Sequence, residues 1–522
     1  MPLTLSRRQI LSGSALLALE LAPLPALSAE SVPGGIRYGT AQTFDFDRLR
    51  LKASRLAGVP FEAETPPAPD IVHAIDFDAA QRIKFRPERA LWSGDAHAMP
   101  VRMFHLDKFN GLPVRINVVS DGMAREIVYA RDDFDYGDTA LAERLPVDLG
   151  FCGFRVMNGP DADTDWLAFQ GASYFRTCGE ENQYGASARG IAIDTALKEE
   201  FPRFVEFWLE EKDNAAGITI YALLNGPSLT GAYKFDATKD AGAVIGVTAE
   251  LNIRKDIERL GIAPLTSMYW YAKGDRPKQA DWRPEIHDSD GLALHTGGGE
   301  RIWRPLINPM YVKTNSFFDT NPKAFGLMQR DRRFADYEDD GAFYNRRPSI
   351  WIEPVGEWGA GSEQLVEIPT GDEVHDNIVA YWTPKKPAKA GDKLLFSYRT
   401  YWRNDEPSPP ANLARAVATR TGVDGIPGIE AHYDVRRRKF VVDWEGGPLT
   451  GMAPRFDITP VVTASHGAVS NAHVIKVVGT EKWRALFDLV VEGKSTVDLR
   501  CYLRLGDQTL TETWLYQYAV EA

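Results

Sequence analysis

Three cysteines, Cys152, Cys178 and Cys501, are all that a chain of 522 residues contains. That is too few for a disulfide framework, so stability has to come from burial. Cys152 and Cys178 stay open to two readings, a bridge or two buried thiols, because each is flanked by apolar or aromatic residues. Basic runs are also missing. Lys and Arg number 60 against 72 Asp and Glu, a net charge of −12, and nothing tracks a phosphate backbone, which excludes nucleic acid as a partner. Past the N-terminus no apolar run approaches the ~20 residues of a membrane span, so no membrane insertion is expected. The signatures G-x-x-x-x-G-K-[ST], H-E-x-x-H and G-x-S-x-G and cysteine pairs at zinc spacing are all missing. Gly297-Gly298-Gly299 is followed by Glu300 and Arg301, where a phosphate loop needs Lys and Ser or Thr, and reads as a tight turn. Asp288-Ser289-Asp290-Gly291 opens like a calcium loop, but Leu292 and Gly299 stand where later oxygen ligands belong. No metal and no cofactor is expected.

What is present is ordinary globular composition, 44% hydrophobic and 25% charged, which argues against disorder and coiled coil. The 44 glycines and 33 prolines are spread along the chain, as many strand reversals require. Ser6-Arg7-Arg8-Gln9-Ile10-Leu11, an apolar stretch to Leu27 and the small-residue pattern Ala26-Leu27-Ser28-Ala29 read as a twin-arginine export signal over residues 1–29. The mature protein is then expected in the periplasm. Leu49, Ala53 and Leu56 predict a peripheral helix stopped by Gly58 and Pro60. From about Leu91 the period becomes two: Val114, Ile116 and Val118, an Asp121-Gly122 turn, then Ile127 and Tyr129 form a hairpin signature. Phe204–Leu209 is answered by Ile218–Leu223 across Asp213-Asn214, and another strand pattern spans Ala241–Ile253. The polar, proline-rich stretch Arg403–Pro410 marks a boundary, giving a large domain over 30–403, a linker over 404–411 and a smaller domain over 412–522. Strand patterns at Phe440–Trp444, His473–Val478, Leu486–Val491, Val497–Leu503 and Thr511–Tyr518 suit an immunoglobulin-like sandwich. The fold class is all-β.

Six of the thirteen tryptophans (Trp270, Trp282, Trp303, Trp351, Trp358, Trp382) fall between Tyr269 and Trp382. Trp282-Arg283-Pro284, Trp303-Arg304-Pro305 and Tyr344-Asn345-Arg346-Arg347-Pro348 each set a flat ring beside guanidinium donors, a pairing that suits a sugar. The competing reading is that the tryptophans fill a large sandwich core. Two acidic clusters, Glu285–Asp290 and Asp372–Asn377, crowd carboxyls that raise one another's pKa. A general acid and a general base are what glycoside hydrolysis needs, although acidic turns are most often solvated surface.

At these residues the chain resembles the periplasmic glucan biosynthesis protein D and G family. The resemblance is carried by Ile257–Met268, Arg283-Pro284-Glu285-Ile286-His287-Asp288, Ile302–Leu306, Phe325–Asp331, Leu365–Thr370 and Asp376–Trp382, and it runs from about residue 37 to the C-terminus; the twin-arginine pattern fits the D branch. It implies a large N-terminal β-sandwich similar to galactose mutarotase-like proteins, joined to a C-terminal immunoglobulin-like sandwich. It further implies an anomer-inverting glycoside hydrolase, most simply an endo-β-1,2-glucanase, acting on linear β-1,2-glucan. The alternatives are a transglycosylase making cyclic glucans or a non-catalytic glucan-binding scaffold for a membrane synthase. By position in the motif, Asp376 corresponds to the general acid and Asp288 to the residue that takes the proton from the attacking water, through substrate hydroxyls and bound water. Tyr344, Arg347 and Glu373 would line the glucan cleft, with Trp282 and Trp303 as further substrate contacts. A homodimer is the implied assembly.

Overall fold

The computed structural model describes residues 35–94, 99–137, 139–159, 161–212, 217–277, 280–424, 434, 436–493 and 495–520. The export signal expected over 1–29 and the Asp213-Asn214 turn lie outside them.

The chain folds as an all-β protein built from two sandwiches. In the larger one, the first sheet runs by paired neighbours through Met123–Val128, Arg115–Ser120, Arg203–Glu211, Gly217–Asn225, Leu229–Lys239, Ala243–Ile253, Lys393–Arg403, Ser349–Val355, Ala324–Met328, Gly291–His295 and Arg301–Pro305. The second sheet runs from Lys313–Thr320 through Ala360–Glu367, Ile378–Pro384, Leu260–Ser267, Ser187–Arg189, Tyr174–Thr177, Asp165–Gln170 and Phe151–Met157 to Val101–His105. Phenylalanines from both sheets meet between them: Phe154 and Phe207 at 5.2 Å, Phe169 and Phe235 at 5.1 Å, Phe175 and Phe235 at 5.1 Å. Edge-on packing of this kind adds to the area burial that holds a sandwich together.

The predicted hairpin is present, closed by Ser120↔Met123. Asp121 and Gly122 both have positive φ, 52° and 71°, as a two-residue turn matched to strand twist requires. The predicted helix is Phe46–Ala57, capped by Asp45, whose side chain accepts from the Arg48 amide, and ended at Gly58. Such a cap is worth about 1 kcal/mol. Leu49 and Ala53 bury against Val119, Trp208 and Leu223 on the outer face of the first sheet, so that sheet is covered on both sides.

The smaller sandwich sets Arg415–Val423, Arg437–Glu445, Trp483–Val490 and Ala468–Lys476 against Ile458–Ala464, Val497–Leu505 and Thr513–Tyr518. Phe440, Phe487, Trp444, Trp483 and Trp514 form its core. The two sandwiches are hydrogen-bonded to each other: Arg301–Pro305 pairs in parallel with Thr513–Tyr518 (Ile302↔Thr513, Trp303↔Trp514). Arg330 adds a salt bridge to Glu512 at 2.6 Å. All three cysteines are buried free thiols, which settles the alternatives left open for Cys152 and Cys178. Burial pushes the Cys152 thiol up to about 12 and the Cys178 thiol to about 11. The Gly297–Gly299 run is a turn between His295 and Arg301, with Gly299 at φ +92°.

Candidate functional site

Three consecutive residues explain how two acids 88 positions apart come together. Strand Leu260–Ser267 is buried along its whole length, and its C-terminal end supplies carbonyls to two other segments. The Met268 carbonyl accepts from the Asp288 amide at 2.8 Å, and the Ser267 carbonyl accepts from the Asn377 amide at 3.1 Å. Ser267 Oγ donates to Ser289 Oγ at 2.9 Å. The Asn377 side chain then locks the second segment: its Oδ1 accepts from the Tyr269 amide at 2.8 Å, and its Nδ2 donates to the Tyr269 carbonyl at 2.9 Å and the Ile368 carbonyl at 2.8 Å. The Asp288 segment and the loop carrying Asp376 therefore hang on the same three residues, Ser267, Met268 and Tyr269.

Strand alternation supplies the surface beneath Asp376. Phe175 and Ala188 point into the core, leaving Tyr174, Arg176, Ser187, Arg189 and Thr266 for the opposite face. Thr266 and the charges of Arg189 and Arg176 favour the ionised form of the Asp376 carboxyl. A cavity of about 320 Å³ lined by Tyr174, Arg176 and Ser187 opens on this face. The Asp376 side chain meets solvent, yet protein crowds its carboxyl. Lost hydration, then the neighbouring Asp288 charge, raise its pKa. The two acids therefore lie within electrostatic reach of each other. Asp288 is buried at 4% exposure; burial raises its pKa, and a salt bridge to Arg347 opposes that rise.

The remaining walls are held by charge-assisted bonds. Arg283 grips Glu373 with two nitrogens at 2.9 and 3.0 Å and reaches Asp339 at 2.5 Å. Glu373 also accepts from the Tyr344 hydroxyl, and the Arg347 guanidinium lies 4.1 Å over the Tyr344 ring. Gly185 permits this: a Cβ there would stand 2.8 Å from the Arg347 Cβ. Behind Asp288, the fully buried His287 bonds Glu285 and Gln329, each at 2.9 Å, and stacks on Tyr269 at 5.6 Å. Burial works against a charged imidazole here, but Glu285 outweighs it and raises the His287 pKa. Asp331 nearby is raised to about 7 by burial and by Asp290.

Asp288, Arg347, Tyr344 and Glu373 are thus linked side chain to side chain, and Asp376 is coupled to them through the charge of Asp288. Trp282 stands at 66% exposure beside Arg283, free to offer a ring face. Trp303 does not join them. It is 5% exposed, with Arg330 3.7 Å above its ring, in the core shared by the two sandwiches. A ring so enclosed has no face for a sugar, so its expected role as a substrate contact is replaced by a packing role. Trp351, Trp358 and Trp382 are buried as well, and the core reading of the tryptophan cluster holds for all four. Sequence reasoning missed Tyr174, Arg176, Arg189 and Thr266. The alternation of ring and guanidinium at 174 and 176, answered by Ser187 and Arg189, was the available signal. Among the described residues, no three His, Cys, Asp or Glu side chains are grouped so as to hold a metal ion.

Comparison with known proteins gives matches along nearly the whole chain. Residues 44–518 match the family described as periplasmic glucan biosynthesis protein, MdoG. The chain is 47% identical over 533 residues to glucans biosynthesis protein D 2 of Ralstonia nicotianae, covering 98% of this chain and 97% of the relative. It is 47% identical over 512 residues to glucans biosynthesis protein D of Stenotrophomonas maltophilia, covering 97% and 95%. To the protein of that name from Xanthomonas axonopodis pv. citri it is 45% identical over 527 residues, covering 98% of each. With a family match across both sandwiches and relatives of nearly equal length, the chain belongs to the periplasmic glucan biosynthesis family.

Proposed function

We propose that the protein is a periplasmic, anomer-inverting glycoside hydrolase that cleaves within linear β-1,2-glucan, with transfer to a sugar hydroxyl, yielding cyclic glucan, as the variant outcome. The observation that carries this is a pair of carboxyls within electrostatic reach of each other, both raised by lost hydration, of which Asp288 is salt-bridged to an arginine while Asp376 feels Arg189 and Arg176 only through their charge. Asp376 holds its proton to a higher pH than an ordinary carboxyl, which suits donation to the leaving oxygen. Arg347 favours the ionised form of Asp288, which suits drawing a proton from the attacking water through intervening hydroxyls. Each transfer is worth about 10²–10⁴ in rate. Trp282 offers a ring face and the Arg283–Glu373 pair offers planar polar groups, as a sugar chain uses, while Tyr344, buried at 2% exposure under Arg347, holds Glu373 in place. No helix among the described residues is long and apolar enough to cross a membrane, which accords with action in the periplasm.

The test is mass spectrometry of products from a defined linear β-1,2-glucan, run with the unmutated protein and with Asp376→Asn. Shortened chains with a reducing end support hydrolysis, rings support transfer, and both disappear in the variant. Glucan binding with no turnover in either protein overturns the enzymatic reading in favour of a scaffold.

A further inference from the structure

A large groove lies where the two sandwiches meet, outside the acid pair. It encloses about 890 Å³ and is lined by the loop 307–313 and Trp270–Pro277 of the larger sandwich and by Tyr516–Val520 of the smaller. This is at the upper end of ligand-sized clefts, ~300–1,000 Å³. Its lining is neither apolar nor of one charge. Tyr311 stands at 77% exposure and Met310 at 65%, Trp270 and Tyr516 are half-buried, and Arg276, Lys313 and Gln517 supply donors between the rings. Flat rings interleaved with donors fit a carbohydrate better than a lipid or a helix. Lys313 Nζ gives a second indication: it is buried with no hydrogen-bond partner among the described residues, a deficit that a ligand hydroxyl would make good.

The groove is mechanically joined to the loop of Asp376. Asn308 in its wall donates to the Trp270 carbonyl at 3.0 Å and the Thr370 carbonyl at 2.8 Å, and accepts from the Thr370 amide at 3.0 Å. Thr370 begins the loop that carries Glu373 and Asp376. Trp270 itself meets Tyr271 edge-on at 5.1 Å, within the cluster that contains Tyr344. We infer that this inter-sandwich groove is a second carbohydrate site that holds a stretch of the glucan chain beyond the acid pair, so that the smaller sandwich takes part in binding long chains. The inference rests on the glucan reading above.

The experiment is calorimetric binding of short and long linear β-1,2-glucans to Asp376→Asn, which removes turnover, with and without Tyr311→Ala or Lys313→Ala. Long chains should lose about tenfold in affinity in either added variant, while short oligosaccharides bind unchanged. Long glucan should also protect Tyr311 and Met310 from hydroxyl-radical oxidation in the Asp376→Asn protein, a readout that needs no further mutation. Equal affinity of both chain lengths in all variants, or no protection, overturns the second site and leaves the glucan reading intact. No binding of any glucan by the unmutated protein overturns both.

Discussion

Asp443 in the smaller sandwich and Asp288 in the larger are equally hidden, 1% and 4% exposed, yet they are treated in opposite ways. Asp443 accepts from Arg484 at 2.7 and 2.9 Å and from Arg420 at 2.9 Å. Burial alone would raise its pKa, but the two guanidiniums hold it below the usual range. Asp288 has a single arginine and a second carboxyl for a neighbour, and its pKa stays raised. A carboxylate that fastens strands is oversupplied with positive charge. One proposed to exchange protons is kept short of it.

Exchanging each aspartate for asparagine breaks the comparison most sharply. Asp288→Asn is expected to lower kcat on linear β-1,2-glucan by about 10²–10⁴ with little change in melting temperature. Asp443→Asn should leave kcat within a few-fold but lose about 2–3 kcal/mol of stability in chemical denaturation, less than a fully enclosed pair, because both arginines reach water. Identical behaviour of the two variants would erase the distinction. Next in size is Asn377→Ala, which unlocks the Asp376 loop and should cut kcat/KM about 100-fold, since small misplacements of a catalytic group are that expensive. Unchanged kcat/KM would show that the loop holds itself.

Arg347→Gln probes the charge supply directly. Asp288 must be ionised to take a proton, and losing its arginine raises its pKa further, so the acidic limb of the pH–rate profile should move up by about one pH unit. A limb that stays put, or moves down, would assign it to another group. The smallest effect is on stability. Glu363, buried in the second sheet, is raised to about 8 by burial, so the folded protein holds a proton that the unfolded chain has released. Its contribution is present below the ordinary carboxyl range and is lost as pH rises through about 8, a dependence Glu363→Gln should flatten, with a net gain above that pH. Melting temperatures taken from the ordinary carboxyl range up through pH about 8 check it.

Much of the fold was legible because inner strands advertise themselves: the Arg115–Val128 hairpin, the long strand Ala243–Ile253 and the inner strands of the smaller sandwich all alternate clearly. Arg415–Val423 and Ile458–Ala464 were not found. Each lies at a sheet edge, pairs on one side only and is largely half-exposed, so the apolar pattern is diluted, and Pro460 obscures the second. The site divides along similar lines. Charge crowding pointed to both acidic clusters, but choosing Asp288 and Asp376 within them needed the family resemblance, because the choice depends on the backbone of Ser267–Tyr269, far away in sequence. Trp303 misled because an arginine beside a ring in sequence looks the same whether the pair faces a ligand or a core.

The parallel pairing of Arg301–Pro305 with Thr513–Tyr518 bears on how the molecule can be taken apart. Its covalent connection, the stretch 404–411, is not what holds the halves in place; the shared sheet, the Trp303 core and the Arg330–Glu512 bridge are. A protease nick in that stretch should therefore yield two fragments that still co-elute in gel filtration. Deleting the smaller half outright would strip a strand of its neighbour and leave a sticky, unpaired border. The C-terminal sandwich is a structural completion of the first, and grafting it elsewhere or trimming it away is a change to the larger half itself.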